Sequence, residues 1–198
     1  MTATRRRGEE LEGAIREAVL AEIAQHGYSG ATYEAIATRA GTSKPVLYRR
    51  WPSKAEMVLA AAASARSEQL TPPDTGSLAG DVKVLLRTMR SLIEATGRQT
   101  LLSLMAELSQ PAAESLRVLL VTRGGAVLEP IAQRARERGE LGEAPLPPRA
   151  ISLPFDLVRH ELLVIGILSD DALDAIVDDV VVPLLVTLSR QAATPVTD

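Results

Sequence analysis

Helix starts and stops follow one another at short intervals in residues 32–56, TYEAIATRAGTSKPVLYRRWPSKAE, and that alternation constrains the local fold more tightly than anything else in the chain. Thr32 is placed to cap a helix that buries Ile36 and Ala37 and stops at Gly41. Ser43 is placed to cap the next one, with Pro45 in its first turn, where a missing N–H is tolerated. Pro52 halts that helix at about Trp51, and Ser53-Lys54-Ala55-Glu56 is a capping box that opens a longer, Ala-rich helix to about Gln69. The spacing predicts two short helices joined by a tight turn and followed at once by another.

Upstream, Leu11, Ile15, Val19 and Ile23 recur every four residues between Glu9 and His26, with Arg16, Glu17 and Glu22 off the stripe. This is an amphipathic helix, stopped by Gly27. Downstream, Thr71-Pro72-Pro73-Asp74-Thr75-Gly76 is the clearest breaker cluster, and it divides residues 1–70 from residues 71–198. Beyond it, Val82, Leu85, Leu86, Met89, Leu92, Ile93 and Thr96 share one helical face, and Leu101, Leu104, Met105 and Leu108 another. A longer helix starts near Pro111, carries Leu116, Leu120, Val127, Ile131 and Ala135, and ends at Gly139. After a Gly- and Pro-rich loop come two apolar helices, about 149–168 and 171–190, the second with Pro183 inside, where it kinks the helix or sets its pitch. No segment carries a convincing strand pattern. The pattern predicts an all-α chain of about nine helices.

Charge narrows the function. Arg39, Lys44, Arg49, Arg50 and Lys54 fall in a stretch with no acidic residue, although the whole chain has a formal charge of -3. Residues 1–70 hold ten Lys/Arg against eight Asp/Glu, net +2, and residues 71–198 hold twelve against seventeen, net -5. A weakly basic first third on an acidic body suits a small nucleic-acid module whose body stays off the phosphates. In a helix-turn-helix the second helix lies in the major groove, and Lys44, Pro45, Val46, Tyr48, Arg49 and Arg50 give it donors and small apolar groups. Leu47 should point inward onto Ile36 and Ala37, and Trp51 should pack at the helix end. Thr32, Tyr33 and Lys54 stand at helix starts, where free N–H groups and the dipole favour phosphate.

Other classes find little support. Cys is absent, so disulfides, thiolate metal sites and a cysteine nucleophile are excluded. His26 and His160 are the two histidines, and neither has a partner at ligand spacing; no metal or cofactor is expected. His26 reads as a helix-end residue. Asp170, Asp171, Asp174, Asp178 and Asp179 read as acids answering a helix dipole or lying on a solvent face. With no G-x-S-x-G, phosphate loop or dinucleotide glycine pattern, no catalytic activity is expected. The start MTATRRRGEE lacks a signal-peptide apolar core, and the runs Leu162–Leu168 and Val180–Leu188 fall short of a membrane span. A cytoplasmic protein is expected.

The run Tyr28-x-x-x-Thr32-Tyr33-x-x-Ile36-Ala37-x-x-Ala40-Gly41-x-Ser43-Lys44-x-x-Leu47-Tyr48-x-x-Trp51-Pro52-Ser53-Lys54 resembles the DNA-binding domain of TetR-family transcriptional regulators. The close match covers roughly residues 10–60. The resemblance implies an all-α homodimer whose first three helices bind operator DNA and whose fourth links them to a C-terminal ligand-binding and dimerisation domain. It implies that an effector changes the separation of two reading heads, with repression the commoner output. By position it assigns DNA contacts to Thr32, Tyr33, Thr42, Ser43, Lys44, Pro45, Val46, Tyr48, Arg49 and Lys54. Thr42 stands where a small apolar residue is usual and Trp51 where Phe is commoner; Thr42 could add a polar contact.

The apolar helices beyond residue 70 suit a ligand pocket. Met89, Ile93, Leu101, Leu104, Met105, Leu120, Phe155 and Leu163 are its candidate lining, with Arg90, Glu107, Arg123 and His160 as polar contacts. With one Phe and no Trp in this part, the default effector is a hydrophobic small molecule without an aromatic cage. Val158, Leu162, Ile165, Ile176, Val180, Leu184 and Leu188 make the last two helices more apolar than one copy needs, which suggests a two-fold four-helix interface. Two copies would read a palindromic operator in double-stranded DNA, with half-sites about 34 Å or a little more apart. Arg5-Arg6-Arg7 reads equally as a groove-binding arm or a basic tail. The rival reading is an α-helical ligand-binding or adaptor module whose basic helix meets an acidic protein without specific DNA binding.

Overall fold

A computed structural model of the chain describes residues 8–66 and 71–191. Arg5–Arg7, the expected end of the fourth helix at 67–70 and the tail beyond residue 191 lie outside the described residues. Every regular element among the described residues is helical: α1 (Glu9–Gly30), α2 (Tyr33–Arg39), α3 (Lys44–Arg50), α4 (Lys54–Arg66), α5 (Leu78–Thr96), α6 (Arg98–Ala106), α7 (Gln110–Glu137), α8 (Pro148–His160), α9 (Asp170–Ala175) and α10 (Val182–Arg190). A π-helical stretch, Ile176–Val181, joins α9 to α10 in one rod, so the described residues form nine rods; a second, Glu161–Ile165, extends α8. None of the described helices is long and apolar enough to cross a membrane.

Two compact units divide the chain: residues 1–69 together with 99–116, and residues 70–98 together with 117–198. A single cut at residue 70 does not separate them, because residues 99–116 return to the first unit. There, Ile15, Ala18 and Val19 of α1 meet Ile36 and Ala37 of α2, Leu47 of α3, Ala55, Met57, Val58 and Ala61 of α4, and Leu104 of α6. The many alanines let short helices approach closely enough to fill a core that contains no Phe. Gly27 breaks α1 as expected, with φ 67° and ψ 175°, but one more helical turn follows to Gly30. Glu22, expected on the solvent side of α1, is buried and takes the Arg39 guanidinium at 2.8 Å. His26 lies 3.8 Å from the same carboxylate rather than serving only the helix end.

In the second unit α5 buries Leu78, Val82, Leu85, Leu86, Met89 and Ile93, packing against α8 with its π-helical extension and against the last rod. Asp81, in the first turn of α5, is fully buried; its carboxylate accepts from the Thr75 N–H at 2.5 Å and hydroxyl at 2.8 Å, with the Arg138 guanidinium 3.5 Å away. Arg90, Arg87 and Lys83 pair with Asp170, Asp174 and Asp178 at 2.6, 2.5 and 2.7 Å. Three acids expected to face water are therefore partnered in an antiparallel ladder. Such solvent-screened pairs contribute little individually, so the ladder sets register more than stability.

The last rod buries Leu173, Val177, Val181, Leu185 and Ser189, a strict four-residue repeat. In a pure α-helix each step of four residues drifts by about 40°, so such a stripe would wind off the core. The wider π-helical stretch turns less per residue and offsets the drift. Pro183 lies in the first turn of α10, directly after that stretch, where the pitch changes.

Candidate nucleic-acid interface

The turn between α2 and α3 is built by backbone bonds: the Ala40 N–H reaches Ile36 at 2.9 Å, the Thr42 N–H reaches Ala37 at 2.9 Å, and Gly41 adopts φ 65°. Thr32 caps α2, its hydroxyl oxygen accepting from the Ala35 N–H at 3.2 Å. Ser43 takes the extended N-cap conformation of α3, but its side chain makes no capping bond. Its hydroxyl is exposed instead. Leu47 is fully buried, and Lys44, Pro45, Tyr48 and Arg49 are exposed on the other side of α3, with Thr42 and Val46 half-buried at the edge.

Tyr33 and Tyr48 are stacked, their ring centroids 4.1 Å apart at 21°. The Tyr33 hydroxyl donates to the Trp51 carbonyl at 3.1 Å, pinning the end of α3 to the start of α2. Burial, then the neighbouring Tyr48 and Glu56, push its phenol up to about 12. The sequence expectation gave Tyr33 to DNA; here its donor is used inside the unit, and the ring serves as a platform for Tyr48, which is 52% exposed. Trp51 packs at the helix end as expected, one wall of a cleft of about 300 Å³ with Ile15, Met57, Ala60 and Ala61.

The five basic residues do not form one free patch. Arg39 is held by Glu22 and by Gln25 at 2.6 Å, and Arg50 by Glu12 at 2.5 Å. Lys54 donates to the Tyr28 carbonyl at 2.8 Å and stands 4.3 Å over the Tyr28 ring. These three clamp the motif to α1. Lys44 pairs with Glu34 at 2.5 Å on the surface; the pair raises the lysine's pKa and lowers the carboxylate's. Arg49 has no hydrogen-bond or ion-pair partner among the described residues. Its five donors are therefore free for a base edge or a phosphate.

The candidate effector residues are drawn from both units. Leu101, Leu104, Met105 and Glu107 belong to the first unit, whereas Met89, Arg90, Ile93, Leu120, Arg123, Phe155, His160 and Leu163 belong to the second. Leu104 is core in the first unit, and Glu107 accepts from the Tyr28 hydroxyl. Arg90 is spent on the Leu168 carbonyl at 3.0 Å and on Asp170. Met89, Ile93 and Phe155 are buried, Phe155 lying over Gly124, and His160 is exposed. Of the dimer candidates, Val158 and Leu162 are buried within one copy, because they face α5 rather than water. Ile165 and Val180 are exposed, and Ile176, Leu184 and Leu188 half-buried. Val164 and Ile167, the latter 74% exposed, extend this apolar surface; their place in an uncharged run was the sequence signal for them.

Residues 15–61 match the family model described as bacterial regulatory proteins, tetR family, and residues 72–180 match the tetracyclin repressor-like C-terminal domain. An uncharacterized HTH-type transcriptional regulator of Mycobacterium tuberculosis (strain ATCC 25618 / H37Rv) is 34% identical over 168 residues, covering 82% of each chain. The DNA-binding transcriptional repressor TetR of Mycobacteroides abscessus (strain ATCC 19977) is 28% identical over 186 residues, covering 90% of this chain and 96% of that protein. Among solved structures, the TetR family transcription regulator SCO0332 superposes with a TM-score of 0.73 at 26% identity, covering 87% of this chain and 97% of that one. With a capped helix-turn-helix at the N-terminal end and both family models matched in order, the chain belongs to the TetR family of helix-turn-helix, DNA-binding transcriptional regulators.

Proposed function

We propose that the chain is a repressor that binds a palindromic operator as a homodimer, with α3 of each copy in the major groove, and leaves it when a hydrophobic small molecule binds residues 71–198. The observation that carries this reading is the surface of α3: Leu47 is inward, Tyr48 is braced by Tyr33, and Lys44, Pro45 and Arg49 are exposed beside Thr42, Ser43 and Val46. Arg49 has the free fork that reads guanine in a major groove, and Lys44, Ser43 and Thr32 supply phosphate donors. Lys54 has two donors left after its bond to Tyr28. The repressor of Mycobacteroides abscessus supports the sign of regulation.

The dimer is assigned to Ile165, Ile176, Val180, Leu184 and Leu188, extended by Val164 and Ile167. Leu120, Arg123 and Leu163, half-exposed in the second unit, remain effector contacts in this reading. The protein works in the cytoplasm and carries out no chemistry of its own. Purified protein should bind DNA taken from upstream of its own gene far more tightly than scrambled DNA, with affinity falling steeply as salt rises. Weak binding without sequence preference, there and in a genome-wide selection of bound fragments, would refute the reading in favour of an adaptor.

A further inference from the structure

The corner between α6 and α7 is built into the DNA-reading head. Leu104 is buried in the head's core and Leu108 packs against it. Two polar contacts close around them: the Tyr28 hydroxyl donates to the Glu107 carboxylate, and the Ser109 hydroxyl donates to Glu56 of α4 at 2.9 Å. Tyr28 follows the break at Gly27 and is buried. It holds Lys54 twice, through its carbonyl at 2.8 Å and under the ammonium, 4.3 Å from the ring centroid. Lys54 in turn opens α4, beside the free N–H groups of that helix start.

We propose that Glu107 is a positioning residue for operator binding: through Tyr28 it holds Lys54 so that the two remaining ammonium donors reach a backbone phosphate. The proposal rests on the DNA-binding reading above. A lysine stem is costly to order, and a side chain ordered before binding contributes more to affinity than one ordered on contact. Burial and the Glu107 bond both hold the Tyr28 phenol protonated, its pKa raised, so the donor persists wherever the protein is folded. Without Glu107 that buried hydroxyl has no partner of its own, so the ring shifts within its apolar socket and the platform under Lys54 shifts with it.

The test compares full-length wild type with Glu107→Ala, Tyr28→Phe, Lys54→Ala, the double variant Glu107→Ala/Lys54→Ala, and Glu107→Gln. Each is bound to an operator fragment across a series of salt concentrations, and its melting is recorded separately. Glu107→Ala and Tyr28→Phe should each weaken operator binding about three- to tenfold, the range of one net hydrogen bond. Both, like Lys54→Ala, should make log affinity against log salt shallower by about 0.9 per head, one phosphate contact. The double variant should bind no more weakly than Lys54→Ala, and Glu107→Gln, whose amide oxygen still accepts from the phenol, should recover most of the loss. A lower melting temperature with unchanged affinity and salt slope, or additive losses in the double variant, overturns the proposal. If Glu107→Ala does not fold, Tyr28→Phe with Lys54→Ala completes the same cycle. Absence of selective binding by the wild type overturns the DNA-binding reading itself, so the two failures are distinguished at the first measurement.

Discussion

Tyr33 stands at a position that suggests contact with phosphate, yet its hydroxyl holds the Trp51 carbonyl and its ring braces Tyr48. A one-dimensional pattern gives the position of a side chain; whether its donor is already used depends on where α3 ends relative to α2. The consequence is testable through proton linkage. The folded head keeps the Tyr33 proton to about 12, against 10.0 for a free phenol. Its stabilising effect is whole below pH 10 and is lost as pH rises through the folded value, because only the unfolded chain releases the proton early. In alkaline titration the Tyr33 phenolate signal, isolated by difference from Tyr33→Phe, should appear together with loss of helical circular dichroism; its appearance ahead of that loss would refute the assignment. Removing the arginine in Arg49→Ala should cost about 1–3 kcal/mol at one base position and relax preference there, whereas Lys44→Ala should weaken all sequences alike and reduce the salt slope by about one contact per head. Glu34→Gln should act oppositely to Lys44→Ala: it frees the lysine and removes a negative charge, so affinity should rise and the salt slope steepen.

Helices show best what periodicity can and cannot reveal. The caps at Thr32 and Ser53, the stop at Gly139 and the apolar stripe of α5 were legible because each depends on residues a few places apart. The burial of Glu22, the Asp170–Asp174–Asp178 ladder and the fully buried Asp81 were not, because each is decided by partners outside its own helix. The face that the last rod turns outward was hidden by the same limit: a π-helical stretch changes the face presented by every later residue, and α-helical spacing carries no sign of it. Neighbouring glycines in α7 make a further test at this scale. A Cβ on Gly124 would lie 3.0 Å from the Phe155 ring, whereas at Gly125 the nearest atom is Ile151 Cγ2 at 4.0 Å. Gly125→Ala should therefore stabilise the protein by about 0.5–1 kcal/mol through helix propensity. Gly124→Ala should lose that gain to overpacking of about 1–3 kcal/mol and melt at a lower temperature than wild type. Thermal unfolding of the pair decides it; two shifts of the same sign would contradict the packing described.

At the scale of the whole molecule, the family, the all-helical fold and the DNA-reading motif were legible from residues 10–60, where local signals are dense. The second part was legible only as apolar helices, since a core, a pocket wall and a subunit interface draw on the same aliphatic residues. Exposure separates them in part: Val180→Asp should leave the fold intact and shift the protein to monomer in sedimentation, with weaker operator binding. Val158→Asp, with its side chain fully buried, should instead unfold the chain. The return of residues 99–116 to the first unit has a consequence for how such a protein can be recombined. A graft of residues 1–69 onto a foreign body would carry the whole motif and yet leave an apolar socket where Leu104 sits, so the transplanted head would melt early and read DNA poorly. Moving the α6–α7 corner with it should restore both, because the unit that can be exchanged is discontinuous along the chain.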